Sequence, residues 1–203
     1  MTASGRPDAL LSLGFAFVGG YGDAAGFVLA RTFTGHVTGS MVLGAIAVAA
    51  GDWRTTVTHL SAIVTFVIGI FLGALTIRSI KTWPSWPPLS IIMTAEMILI
   101  TVAFLALTSH VTRGTGIFVV GVALALGLQN GAFRSTGGVG VHTTYLTGLI
   151  TGLIATEIEQ HLSAVDSPPS HTREAKTALL CGIWITFILG AAVGAAVVFR
   201  LRE

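Results

Sequence analysis

The chain has 203 residues, of which 53% are hydrophobic and only 10% are charged. Typical soluble domains are about 25% charged, so the composition excludes an ordinary soluble protein. The net charge is only +2 and the basic residues stand singly or in pairs, which excludes a nucleic-acid-binding patch.

Apolar runs of about 20 residues recur along the whole chain and predict an all-α fold, a polytopic helical membrane protein in a single membrane domain. We predict about seven transmembrane segments, with six as an option. Their ranges are 10–30, 34–50, 59–77, 89–108, 114–133, 141–159 and 177–199. All six prolines lie outside these ranges, as expected for residues that interrupt helices.

Asp23 lies inside the first predicted span, about 10 Å from its end at 1.5 Å per residue. An ionisable group at that depth normally faces a partner, a cavity or a translocation route. The nearest candidate partners are Arg31 and His36. Asp23 is therefore either half of a static pair that braces the bundle or part of a proton or solute site.

The second predicted span begins with an unusually polar stretch, residues 33–44, which reads Phe-Thr-Gly-His-Val-Thr-Gly-Ser-Met-Val-Leu-Gly. Thr34 and Thr38 stand one helical turn apart. Their hydroxyls either bond back to their own helix or line a polar pathway. His36, between them, can bind a carboxylate or hydrogen-bond a solute.

A matching stretch occurs at residues 143–152. Four positions of the first stretch, Thr34, Val37, Thr38 and Gly39, align at a constant offset with Thr143, Leu146, Thr147 and Gly148. The same alignment pairs His36 with Tyr145.

A second constant offset aligns residues 65–69 and Gly73 with residues 186–190 and Gly194. More loosely, Asp23 aligns with Asn130 and Arg31 with Arg134. These matches predict a duplication, with one homologous three-helix unit at about 10–77 and a second at about 114–199. A linking helix at about 89–108 joins them.

The orientation of the two units depends on the number of crossings. Three spans in each unit and one linking span give a parallel repeat, which is the preferred interpretation. The alternative starts from the polar, glycine-rich beginnings of spans 34–50 and 141–159. If both segments are re-entrant, five spans remain and the units are inverted, because irregular backbone at membrane depth is tolerated where it lines a cavity.

Four pairs of glycines recur at a spacing of one helical turn. They are Gly35/Gly39, Gly69/Gly73, Gly148/Gly152 and Gly190/Gly194. Such pairs make flat helix faces and predict tight intramolecular packing, with dimerisation as the alternative. A second acid at membrane depth, Glu96, lies in the linking span and has no counterpart in the repeat.

The sequence lacks the motifs of intramembrane chemistry. It contains neither a His-Glu-x-x-His nor a Gly-x-Ser-x-Gly motif, and no paired histidine and cysteine nucleophile. We therefore expect no enzymatic activity, no cofactor and no metal site.

The motifs in residues 22–27 and 33–40, together with those in residues 127–132 and 140–148, resemble the YoaK family of bacterial multi-pass inner-membrane proteins. The likeness covers nearly the whole chain. Where many relatives have Asn after Thr-Gly, this chain has Ser40 and Leu149. The resemblance implies a multi-pass protein of the bacterial inner membrane and supplies no substrate, cofactor or catalytic residues.

The first functional hypothesis is a secondary transporter or facilitator of a small polar solute, with a path between the two repeats. The candidate substrate-binding residues are Asp23, Arg31, His36, Thr38, Asn130, Arg134, Tyr145 and Thr147. In this hypothesis Asp23 is a proton carrier or cation partner, and the two arginines are gates or anion contacts. The expected partners are the lipid bilayer and the solute, with proton coupling and homodimerisation as options. The alternative is a non-catalytic membrane partner or assembly protein that uses its glycine-rich helix faces.

Overall fold

The computed structural model describes most of the chain. The described residues are 5–80, 88–109, 113–133, 135–136, 139–140, 148, 150–152, 154–155, 158 and 171–202. Most of the predicted span 141–159 lies outside them.

The described part of the chain is almost entirely helical. Its elements are α1 (Gly5–Ala30), α2 (Val37–Ala49), α3 (Trp53–Ile80), α4 (Pro88–Thr108), α5 (Gly114–Ala132), the strands β1 (Ser135–Thr136) and β2 (Val139–Gly140), and α6 (His171–Arg202). The two short strands pair antiparallel, with Ser135 opposite Gly140.

Five of these helices contain an apolar stretch long enough to cross a membrane. The stretches are Ala9–Ala30, Trp53–Ser79, Ser90–Thr108, Gly114–Ala132 and Thr177–Leu201. The hydrocarbon core is about 30 Å thick and needs about 20 helical residues. The predicted class, a polytopic helical membrane protein, is confirmed.

Helix α2 differs from the predicted span 34–50. It has 13 residues and is therefore about 20 Å long, too short to cross the hydrocarbon core. Both of its flanking connections lead to the same side of the bundle, because Ala30 at the end of α1 and Asp52 before α3 line one cavity. Leu107 near the end of α4 and Gly114 at the start of α5 line it as well. We call this side the cavity face.

The chain therefore leaves α1 at the cavity face, enters the membrane and returns to the same face before α3. We call residues 31–52 the re-entrant segment. The described residues thus contain five long spans and one re-entrant helix, and the predicted crossing at 34–50 is wrong. Hydropathy did not separate the two arrangements because α2 is as apolar as a crossing helix.

Glycines hold α3 against α5 at backbone distance. A Cβ atom at Gly69 would overlap the carbonyl oxygen of Leu124, and one at Gly127 would overlap the carbonyl oxygen of Phe66. Residue numbers increase together along the contact, with Gly73 facing Leu128, so the two helices run parallel.

Helices α1 and α6 make a second interface of the same kind. A Cβ atom at Gly20 would overlap the carbonyl oxygen of Phe187, and one at Gly190 would overlap the carbonyl oxygen of Phe17. These two helices also run parallel, so α5 ends and α6 begins on the side opposite the cavity face. The predicted tight packing of the glycine pairs in α3 and α6 is confirmed.

Helix α5 forms the centre of the bundle. Val119, Ala123 and Leu126 are completely buried in its largest apolar cluster. It crosses α1 antiparallel, because the side-chain amide of Gln129 donates a hydrogen bond to the Phe15 carbonyl (3.1 Å) while Val122 faces Gly22.

We predict that Gly127→Ala destabilises the protein by separating α3 from α5. Overpacking of a tight interface costs about 1–3 kcal/mol, and each kcal/mol corresponds to roughly 2–4 °C in a domain of this size. Thermal unfolding of purified protein in detergent measures the effect. Gly116→Ala is the matched control on the same helix, because nothing lies within 4 Å of its missing Cβ. Equal melting temperatures for the two variants would contradict the packing account.

Candidate functional site

The candidate site is built around Asp23, which lies inside α1 and is 5% exposed. Its Oδ1 atom accepts hydrogen bonds from three successive backbone N–H groups: those of Thr34 (2.8 Å), Gly35 (2.6 Å) and His36 (3.3 Å). The Thr34 hydroxyl is a longer fourth donor at 3.4 Å. One carboxylate oxygen thus accepts hydrogen bonds from all three residues of the turn that precedes α2.

These hydrogen bonds solve a problem created by the re-entrant segment. Residues 34–36 are not helical, so their backbone N–H groups have no helical partner. An unsatisfied backbone group at membrane depth costs several kcal/mol. His36, the residue that precedes α2, makes no side-chain cap, so Asp23 supplies the acceptor from the neighbouring helix. Hydrogen bonds to a charged acceptor are among the strongest in proteins.

Two glycines of α1 let the turn approach closely enough for this contact. A Cβ atom at Gly22 would lie 3.3 Å from the Thr34 hydroxyl oxygen. One at Gly26 would lie 2.8 Å from the Thr34 methyl group and 3.0 Å from the Thr32 carbonyl oxygen. The motif in residues 22–26 and the motif in residues 33–36 are therefore the two halves of one contact.

A second buried pair fixes the beginning of the re-entrant segment. The Thr32 hydroxyl and Nδ1 of His59, on α3, are 2.6 Å apart, and both side chains are buried. Further along the segment, the Ser40 hydroxyl donates to the Phe33 carbonyl (2.8 Å), and the Phe33 ring stacks on Phe27 of α1. The segment is thus tied to both α1 and α3.

Neither member of the Thr32–His59 pair is among the site residues predicted from the sequence. The available signal was the position of His59 on an apolar helix that begins at Trp53, more than one turn inside it. A polar ring at that depth needs a partner.

The predicted partners of Asp23 occupy different positions from those expected. Arg31 is exposed at a positive φ of 56°, and its guanidinium carbon lies 5.8 Å from the centre of the Phe27 ring. It forms no ion pair with Asp23. His36 approaches Asp23 through its backbone N–H, while its imidazole ring packs 5.7 Å from the ring of Phe33.

Of the other predicted site residues, only Thr38 and Asn130 are among the described residues. Thr38 is exposed on α2. Asn130 is buried on α5, where its side-chain amide donates to the Leu126 carbonyl (2.8 Å). Arg134, Tyr145 and Thr147 lie outside the described residues. Among the described residues, no group of three or more histidine, cysteine or acidic side chains is arranged to hold a metal ion.

A polar cavity of about 750 Å³ opens at the cavity face. Its charged and hydroxyl-bearing lining residues are Asp52, Arg54, Thr55, Thr58, Arg113 and Thr115. The Thr55 hydroxyl and backbone N–H bond the Asp52 carboxylate and hold the pKa of that carboxyl below its usual value. Thr58, which precedes His59 on α3, is part of this lining.

An apolar groove of about 710 Å³ continues from this cavity between α3, α4 and α5. It shares Thr58, Arg113 and Gly116 with the cavity. Its apolar lining includes Leu99, Val102, Ala103, Ile117, Val120 and Leu124. The polar cavity and the apolar groove thus meet at Arg113.

These features define a multi-pass helical membrane protein with a re-entrant segment fixed at membrane depth. The chain belongs to the family described as "Protein of unknown function (DUF1275)", whose model matches residues 11–203. It is similar to the UPF0700 transmembrane protein YoaK of Bacillus subtilis (strain 168), with 26% identity over 157 residues. That match covers 76% of this chain and 68% of the relative. No solved structure matches the chain.

The comparisons confirm the family resemblance found in the sequence. Together with the five apolar helices, they also confirm the expected localisation as a multi-pass protein of the bacterial inner membrane.

We predict that Asp23→Ala lowers the melting temperature much more than Asp23→Asn. Alanine leaves three backbone N–H groups without an acceptor, at a cost of at least about 3 kcal/mol or roughly 6–12 °C. The amide oxygen of asparagine still accepts hydrogen bonds and loses only the charge, so its effect should be less than half as large. Thermal unfolding in detergent compares the two. Equal losses, or no loss in either variant, would show that the carboxylate does not hold the turn.

Proposed function

We propose that the protein is a secondary transporter or facilitator of a small polar solute, with a path between two inverted structural units. The observation that supports this most strongly is the re-entrant segment, whose non-helical backbone is bound at membrane depth by Asp23. Transporters commonly bind their solutes where interrupted helices meet near the middle of the membrane. Irregular backbone at that depth is tolerated only where protein or a water-filled cavity surrounds it.

The glycine contacts support the proposal of a duplicated unit. In each proposed unit, the first helix packs on the third helix of the other unit. The matched contacts with a carbonyl oxygen are Gly69 on Leu124 and Gly190 on Phe17, Gly73 on Leu128 and Gly194 on Tyr21, and Gly127 on Phe66 and Gly20 on Phe187. The α3 and α6 residues in each match are aligned by the offset that pairs residues 65–69 with 186–190. The α1 and α5 residues in each match are aligned by the offset that pairs Asp23 with Asn130.

The helix directions favour inversion over a parallel repeat. Helices α1 and α5, the first helices of the two units, run antiparallel, as the Gln129–Phe15 and Gly22–Val122 contacts require. The α1–α5 crossing itself is consistent with the same symmetry. Under that symmetry, Gly22 corresponds to Gln129 and Phe15 corresponds to Val122, so each contact is the image of the other.

In this proposal the solute enters through the polar cavity at the cavity face. It then passes the Thr32–His59 pair and reaches the turn held by Asp23. His36 and Thr38 line the first half of the path, and Asn130 lies on the second unit. Tyr145 and Thr147, which lie outside the described residues, are candidate contacts from the sequence alignment alone. Arg31 and Arg134 contact anionic groups of the solute or act as gates.

The assembly-protein alternative receives less support. It relied on glycine faces being available to another protein. The glycines of α3 and α6 contact α5 and α1 within the same chain, so those faces are already occupied. We therefore propose neither an assembly role nor an enzymatic activity.

We predict that a solute found by a thermal-stability screen will also exchange across the membrane of proteoliposomes. Screening purified protein against sugars, amino acids, organic acids and nucleobases identifies the solute class. A ligand at about 100 times its dissociation constant adds roughly 2.7 kcal/mol. Counterflow of the labelled hit then measures transport.

The variants His36→Ala and Thr38→Val should reduce both the thermal shift and the counterflow. Thr94→Val is the matched control, because Thr94 is exposed on α4 and bonds only its own helix. A stabilising ligand that is never exchanged would contradict transport. Equal loss in the control and in the site variants would contradict the location of the path.

A further inference from the structure

The linking helix α4 contains a carboxyl group whose environment differs from that of Asp23. Glu96 is 4% exposed, and its Oε1 atom is buried with no hydrogen-bond partner among the residues that the structure describes. Along α4 it lies about 12 Å from the beginning of the helix and about 18 Å from its end. Glu96 is therefore near the middle of the membrane.

Contacts between α4 and α5 show where Glu96 points. A Cβ atom at Gly121 would lie 3.0 Å from the Cβ of Ala103, and one at Gly114 would lie 2.6 Å from the Ala106 carbonyl oxygen. These helices are antiparallel, and Glu96 is on the Ala103 face of α4 because the two are seven residues apart. Glu96 therefore lies at the α4–α5 interface, at the level of Ala125.

No charged group in the neighbouring described helices compensates Glu96. Helix α4 has no other titratable side chain, and α5 has none between Gly114 and Ala132. On α3 the charged or titratable groups are Arg54, His59 and Arg78. Arg54 and Arg78 are exposed at the two ends of α3, and His59 is bound to Thr32.

Burying an ionised carboxylate without a partner in such surroundings would destabilise the fold by several kcal/mol. The packed α4–α5 interface, which we call the closed state, therefore requires Glu96 as the neutral acid. Release of its proton requires water to reach the interface. The apolar groove offers the route, because Leu99 and Ala103 line it and Leu99 lies one helical turn from Glu96. If the groove extended one helical turn further along α4, from Leu99 to Glu96, it would connect Glu96 to the polar cavity.

We propose that Glu96 binds and releases the proton that drives solute movement, an inference that rests on the proposed transport function. In the closed state the carboxyl holds the proton as a neutral acid. When the α4–α5 interface opens toward the groove, the proton leaves to water and the carboxylate remains, with no other bond made or broken. Asp23 is in a different position, because its Oδ1 atom already accepts hydrogen bonds from three backbone N–H groups of the turn.

Proton binding is tested without transport, by infrared difference spectra of the purified protein in lipid nanodiscs over a pH titration. The wild-type protein should lose the carbonyl stretching band of a buried protonated carboxylic acid as the pH rises. Glu96→Gln should lack that band at every pH, and Asp23→Asn should retain it. An identical band in Glu96→Gln and wild type would overturn the assignment.

Carbodiimide labelling of the wild-type protein provides a readout that does not depend on how a variant folds. Dicyclohexylcarbodiimide is apolar and reacts with protonated carboxyls within membranes. Mass mapping should locate the label on Glu96, with less labelling at higher pH and none on Asp23. Labelling of Asp23 instead of Glu96 would reverse the roles of the two acids and overturn the proposal.

Coupling is tested in proteoliposomes with the solute identified by the screen. A pH gradient should drive accumulation in the wild type. Glu96→Gln should lose that accumulation while retaining counterflow. Gradient-driven accumulation that survives in Glu96→Gln would overturn the coupling role and leave the transport function intact. Absence of any solute exchange, with the infrared band of Glu96 present, would overturn the transport function and leave the proton site.

Discussion

The carboxylate of Asp23 and the backbone of the turn at residues 34–36 form the contact on which the rest of the arrangement depends. Without an acceptor at that depth, the chain could not leave α1, turn inside the membrane and begin a second helix there. The carboxylate accepts hydrogen bonds from three backbone N–H groups. The glycines at positions 22 and 26 allow the turn to approach α1 closely enough to make them. An intramembrane acid is thereby used to stabilise irregular backbone, a role distinct from pairing with a cation.

The long helices provide the frame that holds this contact. Glycine faces bring α3 onto α5 and α6 onto α1 at backbone distance. The re-entrant segment lies against α1 and α3 and is tied to each by buried hydrogen bonds. Its base adjoins a polar cavity, while the linking helix carries a buried acid beside an apolar groove. The two acids at membrane depth therefore have different environments, one fully hydrogen-bonded on Oδ1 and one unpartnered on Oε1.

Hydropathy and proline positions predicted the long helices well, because a crossing helix is continuously apolar and proline favours the first turn of a helix or the connections between helices. The predicted span 114–133 became Gly114–Ala132, and 89–108 became Pro88–Thr108. The same signal failed for 34–50, since α2 is as apolar as a crossing helix and leaves Met41, Val42 and Ile46 exposed. Glycine spacing predicted tight packing, because a helix face without side chains lets a neighbouring backbone approach closely.

The internal geometry of the site was harder to predict. Asp23 was identified from its depth, but a search for charged partners could not reveal that its donors are backbone groups. The Thr32–His59 pair joins residues far apart in the sequence and depends on the return of the chain to one face. Both misses have the same cause: the contacts follow from re-entry, which composition does not encode.

Cysteine accessibility tests the re-entrant segment most directly. Cys181 is the only cysteine and is exposed, so it is first replaced by serine. Single cysteines then replace Arg31 and Ala50, which flank α2, and Ser90 and Ser109, near the two ends of α4. A membrane-impermeant maleimide is applied to vesicles of each orientation. The account predicts that positions 31 and 50 are labelled from the same side as position 109 and from the side opposite position 90. Labelling of 31 and 50 from opposite sides would mean that α2 crosses the membrane, and would contradict the account.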